Sequence, residues 1–150
     1  MRAVVQRVKN ASVEVDGEVV SGFEGQGLLV LLGVAVDDGH AEAAAVASKI
    51  AHLRILDDEK SAVSAQAPVI VVSNFTLYGD VRKGRRPSWT RAAKGNQAEP
   101  LYERFTAELE AAGVRVERGV FGAKMDVSLT NSGPFTLIVD SDELAGPRRG

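Results

Sequence analysis

The chain has 150 residues and a formal net charge of −2, with no cysteine and only two histidines. This length predicts one domain that folds without disulfides or a structural metal. The lack of cysteine excludes thiol nucleophiles, iron–sulfur clusters and thiolate zinc sites, and two histidines leave little for a metal site or a histidine-based triad. We therefore expect neither a metal nor a cofactor.

The predicted elements begin with a β-hairpin. Residues 3–8 are apolar and β-branched, residues 12–16 alternate apolar with polar side chains, and Asp16-Gly17 is a turn signal before residues 18–20. The longest apolar run, residues 27–36, is about half the length that a membrane-spanning helix requires. Its continuous apolar composition predicts a buried strand instead. Since the N-terminus also lacks the apolar stretch of a signal peptide, we expect a cytoplasmic protein with no membrane segment.

Helical patterns follow. Residues 40–53 are rich in alanine and place apolar side chains on one face, residues 69–73 predict a buried strand, and residues 99–112 predict a second helix with Asn96 as its N-cap and Gly113 as its stop. Three further strands are predicted at residues 114–118, 125–130 and 135–139.

About seven strands and two helices indicate a single mixed α/β domain over residues 1–139. Two helices are too few to cover both faces of one large sheet, so one face is expected to meet a second sheet or another subunit. Residues 140–150 contain glycine, proline and two arginines, which predicts a mobile tail.

Polar residues cluster after the strand at 69–73, at the end where α/β sheets meet their ligands. Ser73 and Thr76 are candidate nucleophiles, but a hydroxyl needs a base, and no neighbouring His or Lys supplies one. Forming a turn or a hydrogen bond is the commoner role of Ser and Thr at such a place. The second unusual segment, residues 131–134 (Asn-Ser-Gly-Pro), is typical of a tight turn between two strands.

The basic residues are unevenly spread. Six of them lie between residues 82 and 94 with no acid among them, so the rest of the chain carries −8. Gly84 and Pro87 make this stretch a loop, and Trp89 lies within it. A solvated loop is the ordinary interpretation of a charge run. Arginine forks and an indole face, however, are also the groups that hold phosphates and stack on bases.

Two motifs make the chain recognisable: Ser-Asn-Phe-Thr-Leu-Tyr-Gly-Asp at residues 73–80 and Asn-Ser-Gly-Pro-Phe-Thr at residues 131–136. They resemble the two signature motifs of the D-aminoacyl-tRNA deacylases. Shorter segments resemble the same family in the same order, so that the likeness extends over residues 1 to about 139; these segments are residues 5–8, 11–13, 27–30, 84–88 and 121–125.

The resemblance implies mixed β-sheets with two helices in a layered α/β/β arrangement. It also implies a homodimeric hydrolase that cuts the ester between a D-amino acid, or glycine, and the 3′-terminal ribose of tRNA. Residues 73–78 would form the floor of the pocket. Gly133 and Pro134, joined by a cis bond in this family, would reach into the partner's site and reject L-aminoacyl esters, which amounts to a clash against the abundant wrong substrate.

The roles implied for single residues follow the motifs. Catalysis falls to Phe75, Thr76 and Ser73, and the family is thought to use the ribose 2′-hydroxyl with main-chain groups near Phe75. Thr76 as a nucleophile is the alternative; we favour the substrate-assisted route because Thr76 has no evident activator. The implied substrate contacts are Asn74, Phe121, Met125 and Arg7, and the implied tRNA contacts are Arg82, Lys83, Arg85, Arg86 and Trp89.

The chain departs from the family pattern at three places. Asn74 stands where the family usually has Gln, residues 57–68 lack a common Gly-Lys-Met-Asn run, and the tail beyond residue 140 exceeds the usual family end. Two other functions remain open: a non-catalytic RNA-binding β module that uses the loop at 82–94, and a hydrolase of small esters that uses Ser73 or Thr76. His40 and His52 are assigned to the surface or core of a helix.

Overall fold

The computed structural model describes residues 1–147. Five strands form one mixed sheet in the order β4-β3-β2-β1-β5, in which β1 is antiparallel to β2 and β5, and β3 is parallel to β2 and β4. The strands are β1 (Arg2–Val15), β2 (Glu18–Gly33), β3 (Val69–Ser73), β4 (Val116–Arg118) and β5 (Asp126–Asp140). The helices are α1 (His40–His52), α2 (Ala62–Ala65), α3 (Gly95–Ala111) and α4 (Ser141–Ala145).

The sheet buries apolar side chains on both faces. Val30 and Val71 point to one face and pack with Ile50 of α1 and Phe105 of α3 in the main core. On the opposite face, Leu29, Ile70 and Val72 pack with a second cluster, Val8, Ala11, Val13 and Phe23, from the outer halves of β1 and β2. The long strands therefore fold back over the face without helices, which confirms the predicted α/β/β layering.

Several predicted strands are joined in the structure. The segments at 3–8 and 12–16 form one strand, β1, and those at 18–20 and 27–36 form β2, which ends at Gly33. The breaks expected between them are accommodated as register shifts in the β1–β2 and β1–β5 ladders. A strand can pass through a bulge without reversing its direction, and local composition does not distinguish a bulge from a turn.

The segment at 131–134 is also part of a strand, and its prediction as a tight turn between two strands is wrong. Gln6 pairs with Thr136 and Val8 pairs with Asn131, so four residues of β5 stand opposite Arg7 alone. The peptide bond between Gly133 and Pro134, inside this bulge, is cis.

Two predicted boundaries differ from the structure. Helix α3 begins at Gly95 with Lys94 as its N-cap, because the Lys94 carbonyl accepts hydrogen bonds from the N–H groups of Gln97 and Ala98 at 2.9 and 2.8 Å. The Asn96 N-cap is therefore wrong. In the tail, Ser141–Ala145 form α4, and the Ser141 N–H donates to the Met1 carbonyl at 2.9 Å. Residues 148–150 of the predicted mobile tail lie outside the described residues.

Within residues 1–147, none of the helices is long and apolar enough to cross a membrane.

Candidate active site

A cavity of about 640 Å³ lies beside the C-terminal end of β3. Sites for small molecules and cofactors usually measure about 300–1,000 Å³ and are mostly apolar, as this one is. Its walls come from the ends of β2 and β3, the first turns of α3 and the segment before β5. Six of the residues assigned from the sequence line it: Ser73, Asn74, Phe75, Trp89, Phe121 and Met125.

A single 3₁₀ turn, Phe75–Tyr78, follows β3, and its first residue lines the cavity together with Ser73 and Asn74. Asn74 caps this turn: its Oδ1 accepts hydrogen bonds from the Thr76 main-chain N–H at 3.2 Å and from the Thr76 hydroxyl. An Asn side chain reaches the N–H two residues on, which is why Asn is favoured at such turns. The departure from the family's Gln thus places a cap on the turn, and it engages the Thr76 hydroxyl with an amide oxygen, which is not a base.

The main-chain N–H of Phe75 differs from those around it. The Asn74 N–H donates to the Leu32 carbonyl at 2.8 Å, and the Gly79 N–H donates to the Thr76 carbonyl at 2.9 Å. The Phe75 N–H is the first of the turn and finds no acceptor among residues 1–147. Because Phe75 lines the cavity and its N–H has no acceptor within the described residues, this donor is available to a ligand oxygen there.

Exposed aromatic rings flank this turn. Phe75 is 56% exposed and Trp89 is 41% exposed, and their rings meet edge to face at 5.3 Å between centroids. Gly79 lies directly under the indole, since a Cβ there would come within 2.9 Å of Trp89 Cζ3. Exposed rings of this kind are surfaces on which nucleobases stack.

Tyr102 closes the cavity from the α3 side. Its ring lies 5.9 Å from that of Phe121, and its buried hydroxyl donates to the Val71 carbonyl at 2.7 Å. Burial raises the pKa of Tyr102 to about 12. Tyr102 therefore stays protonated near neutral pH and serves as a wall of the site, not as a base.

A second cluster surrounds the β5 bulge. Arg7, whose side chain is 14% exposed, donates from Nε to the Ser132 carbonyl at 3.0 Å and from Nη2 to the Gly133 carbonyl at 3.2 Å. Its guanidinium also lies 4.4 Å from the centre of the Phe135 ring. Arg7 thus fixes the main chain that leads into Gly133-Pro134. None of these residues, nor Thr76, lines the cavity of the same chain, so the structure separates Arg7, Gly133 and Pro134 from the assigned residues that form the cavity.

The predicted basic loop is exposed from Val81 to Arg91. Arg82 is held by Asp80, with Nη2 2.6 Å from Oδ2 and Nε 2.9 Å from Oδ1. The hydrogen bonds from Arg82 lower the pKa of Asp80 to about 2. Lys83, Arg85, Arg86 and Arg91 are exposed and form no ion pair with the described part of the chain, so they carry the accessible positive charge of this exposed stretch.

His40 and His52 are exposed on α1, and no group of three or more His, Asp or Glu side chains within residues 1–147 is placed to hold a metal ion.

The sequence interpretation missed the wall at residues 92–95, together with Tyr102. The sequence shows Lys94 only as a member of the basic run. Its position at the edge of the cavity depends on how residues 92–95 pack against β2, which local sequence does not reveal.

The fold and the site define a class of protein: an α/β domain with a ligand cavity at a strand end, main-chain donors and an adjoining basic loop. Residues 4–140 match the family model described as D-Tyr-tRNA(Tyr) deacylase. Two similar proteins are the D-aminoacyl-tRNA deacylases of Micrococcus luteus, 79% identical over the full length of both chains, and of Thermobifida fusca, 60% identical over 93% of this chain and 99% of the relative.

Solved structures give the same result for the fold. A structure described as the c-Myc DNA unwinding element binding protein is 39% identical, with a TM-score of 0.86 over 93% of this chain and 98% of that one. A probable eukaryotic D-amino acid tRNA deacylase is 18% identical, with a TM-score of 0.81 over the same shares, and shows the likeness of fold alone. The chain belongs to the D-aminoacyl-tRNA deacylase family and is an enzyme of the hydrolase class.

Proposed function

We propose that this protein hydrolyses the ester bond between a D-amino acid, or glycine, and the 3′-terminal ribose of tRNA. The observation that carries this proposal is the unpaired Phe75 N–H at the edge of an apolar cavity, beside an exposed aromatic pair and a basic loop. A cavity of this kind accepts a nucleoside and an amino acid side chain. The donor then binds the ester carbonyl.

In this mechanism the Phe75 N–H stabilises the negative charge that develops on the carbonyl oxygen. Preorganised donors of this kind are typically worth about 10²–10³ in rate. Water attacks the carbonyl carbon and gives its proton to the ribose 2′-hydroxyl, which passes its own proton to the 3′-oxygen as the ester C–O bond breaks. The route needs no side-chain base, which agrees with a Thr76 hydroxyl bound to Asn74 and a Ser73 hydroxyl with no base beside it.

Rejection of L-aminoacyl esters is assigned to Gly133 and Pro134 of a second copy of the chain. Arg7 supports this role because it fixes the carbonyls of Ser132 and Gly133, so that the main chain cannot yield to an L side chain. The bulge does not line the cavity of its own chain, so a homodimer is needed to bring the two together. β5 is a 15-residue strand at the sheet edge, and its Ile138 is 66% exposed, which suits contact with another copy.

The tRNA body is assigned to the basic loop. Arg85 and Arg86 are exposed and carry no counter-charge from the described residues, and Lys83 adds a third positive charge. Trp89 lies where the loop meets the cavity, so the loop holds the backbone while the indole meets a base. Confining the positive charge to one loop on an acidic body allows the tRNA to be released after reaction.

The test is the release of free amino acid from D-tyrosyl-, glycyl- and L-tyrosyl-tRNA. We expect rapid hydrolysis of the first two and survival of the L ester; binding of all three without release would favour the RNA-binding module instead. The variant Arg85→Glu/Arg86→Glu is compared on D-tyrosyl-tRNA and on D-tyrosine ethyl ester. A loss confined to the tRNA substrate supports the proposal, and rapid hydrolysis of the ethyl ester by both proteins favours the small-ester hydrolase.

A further inference from the structure

One charged residue lies among the nineteen that line the cavity, and it is Lys94. The remaining lining residues are apolar, aromatic or neutral, and no carboxylate is among them. Lys94 also forms no ion pair with any residue between 1 and 147. An uncompensated positive charge at the edge of an apolar cavity favours an anionic ligand, because the neighbouring low dielectric weakens the screening by water.

The main chain holds Lys94 firmly at this place. The Ala93 N–H donates to the Val34 carbonyl at the end of β2, at 2.9 Å, and the Lys94 carbonyl accepts the N–H of Ala98 at 2.8 Å. Ala93 is buried, whereas the Lys94 side chain is exposed. The main chain of Lys94 is thus anchored between the sheet and α3, while its side chain is exposed to solvent beside the cavity that the residue lines.

The chemistry of the substrate determines which anionic group Lys94 binds. This part of the inference rests on the proposed function. An aminoacyl ester has no free carboxylate, and its α-amino group is itself cationic near neutral pH, so Lys94 repels the amino acid end. The terminal adenosine carries a single anion close to the ribose, which is the phosphate that links it to the preceding nucleotide. We propose that Lys94 binds this phosphate and thereby directs the ester toward Phe75.

This subsite is distinct from the basic loop. Lys83, Arg85 and Arg86 do not line the cavity, so they are placed to bind phosphates of the tRNA outside it. Lys94 contacts only the nucleotide that enters the cavity. Replacement of Lys94 should therefore weaken the binding of a ligand as small as one nucleotide. Replacement of Lys83, Arg85 or Arg86 should leave the binding of such a ligand unchanged.

The experiment compares the binding of adenosine 5′-(methyl phosphate), which carries one negative charge, with that of adenosine by calorimetry. The wild-type protein should bind the phosphate ester about fivefold more tightly, the size of one exposed ion pair. This preference should vanish in Lys94→Ala, return in Lys94→Arg and persist in Lys49→Ala, which removes an exposed lysine of α1. Equal binding of the two ligands by the wild type, or a preference that survives in Lys94→Ala, would overturn the subsite.

Hydrolysis of D-tyrosyl-tRNA by the same wild-type preparation separates the two proposals. Hydrolysis without any phosphate preference refutes the Lys94 subsite and leaves the proposed function intact. A phosphate preference that depends on Lys94, found without hydrolysis, supports the subsite and contradicts the proposed function.

Discussion

Replacement of Thr76 by valine keeps the β-branched shape of the side chain and removes only its hydroxyl. That hydroxyl donates to Asn74 Oδ1 on an exposed turn, and no basic side chain hydrogen-bonds to it. A single hydrogen bond contributes about 0.5–1.5 kcal/mol net. Even if the whole of this free energy were added to the activation barrier, the rate would fall by about tenfold at most. Loss of a true nucleophile costs far more, about 10⁶-fold in a serine protease. The two mechanisms thus differ by roughly five orders of magnitude in this one variant.

The assay is single-turnover deacylation of D-tyrosyl-tRNA, with urea unfolding as the measure of stability. We expect Thr76→Val to keep at least about a tenth of the wild-type rate. Asn74→Ala, which removes the acceptor of both Thr76 bonds, should destabilise the turn by about 0.5–2 kcal/mol and reduce the rate more than Thr76→Val does. Asn74→Asp retains the acceptor and serves as the matched control. A fall of Thr76→Val to the uncatalysed rate, in a protein that still folds, would refute substrate-assisted catalysis.

Three further predictions concern the walls and the loop. Gly79→Ala should displace Trp89, the only tryptophan, because the added Cβ would lie 2.9 Å from the indole and 3.0 Å from the Thr76 carbonyl oxygen. The fluorescence emission should shift, and KM should rise at least about fivefold. Arg7→Met should lower the ratio of D- to L-tyrosyl-tRNA hydrolysis about tenfold, since two carbonyls lose their donors. The Asp80 carboxyl should titrate near pH 2 by NMR. Its depressed pKa gives stability that is present above the ordinary value of 3.8 and is lost as the pH falls toward 2. Arg82→Ala should raise this pKa only part of the way back, because the main-chain N–H at position 82 still donates to Asp80 Oδ1.

Much of the fold could be predicted from periodicity. The apolar stripe of α1 and the β-branched run of β3 appear in the structure within about one residue, because α1 buries one face against the core and β3 is buried on both faces. The bulges were not predictable. Residues 131–134 carry the composition of a turn, yet they continue β5, since the ladder on either side holds the strand in line. Pairing between distant strands overrides local preference at such points.

The site was predictable in part for a similar reason. Ser73, Asn74 and Phe75 are consecutive in the chain and necessarily lie together at the end of β3. Lys94, by contrast, lies 19 residues further on and reaches the cavity only through the packing of α3 on the sheet. The pairing of Arg82 with Asp80 could have been anticipated, because the two residues are close in sequence and opposite in charge.

The most direct test is a crystal structure with a non-hydrolysable D-aminoacyl-3′-amino-adenosine, in which an amide replaces the ester. We expect the ligand to occupy the cavity beside β3, with its carbonyl oxygen about 2.7–3.1 Å from the Phe75 main-chain nitrogen. Gly133 and Pro134 of a second copy should face its α-carbon. A ligand bound outside this cavity, or a carbonyl oxygen held by a side chain while the Phe75 N–H stays unpaired, would contradict it.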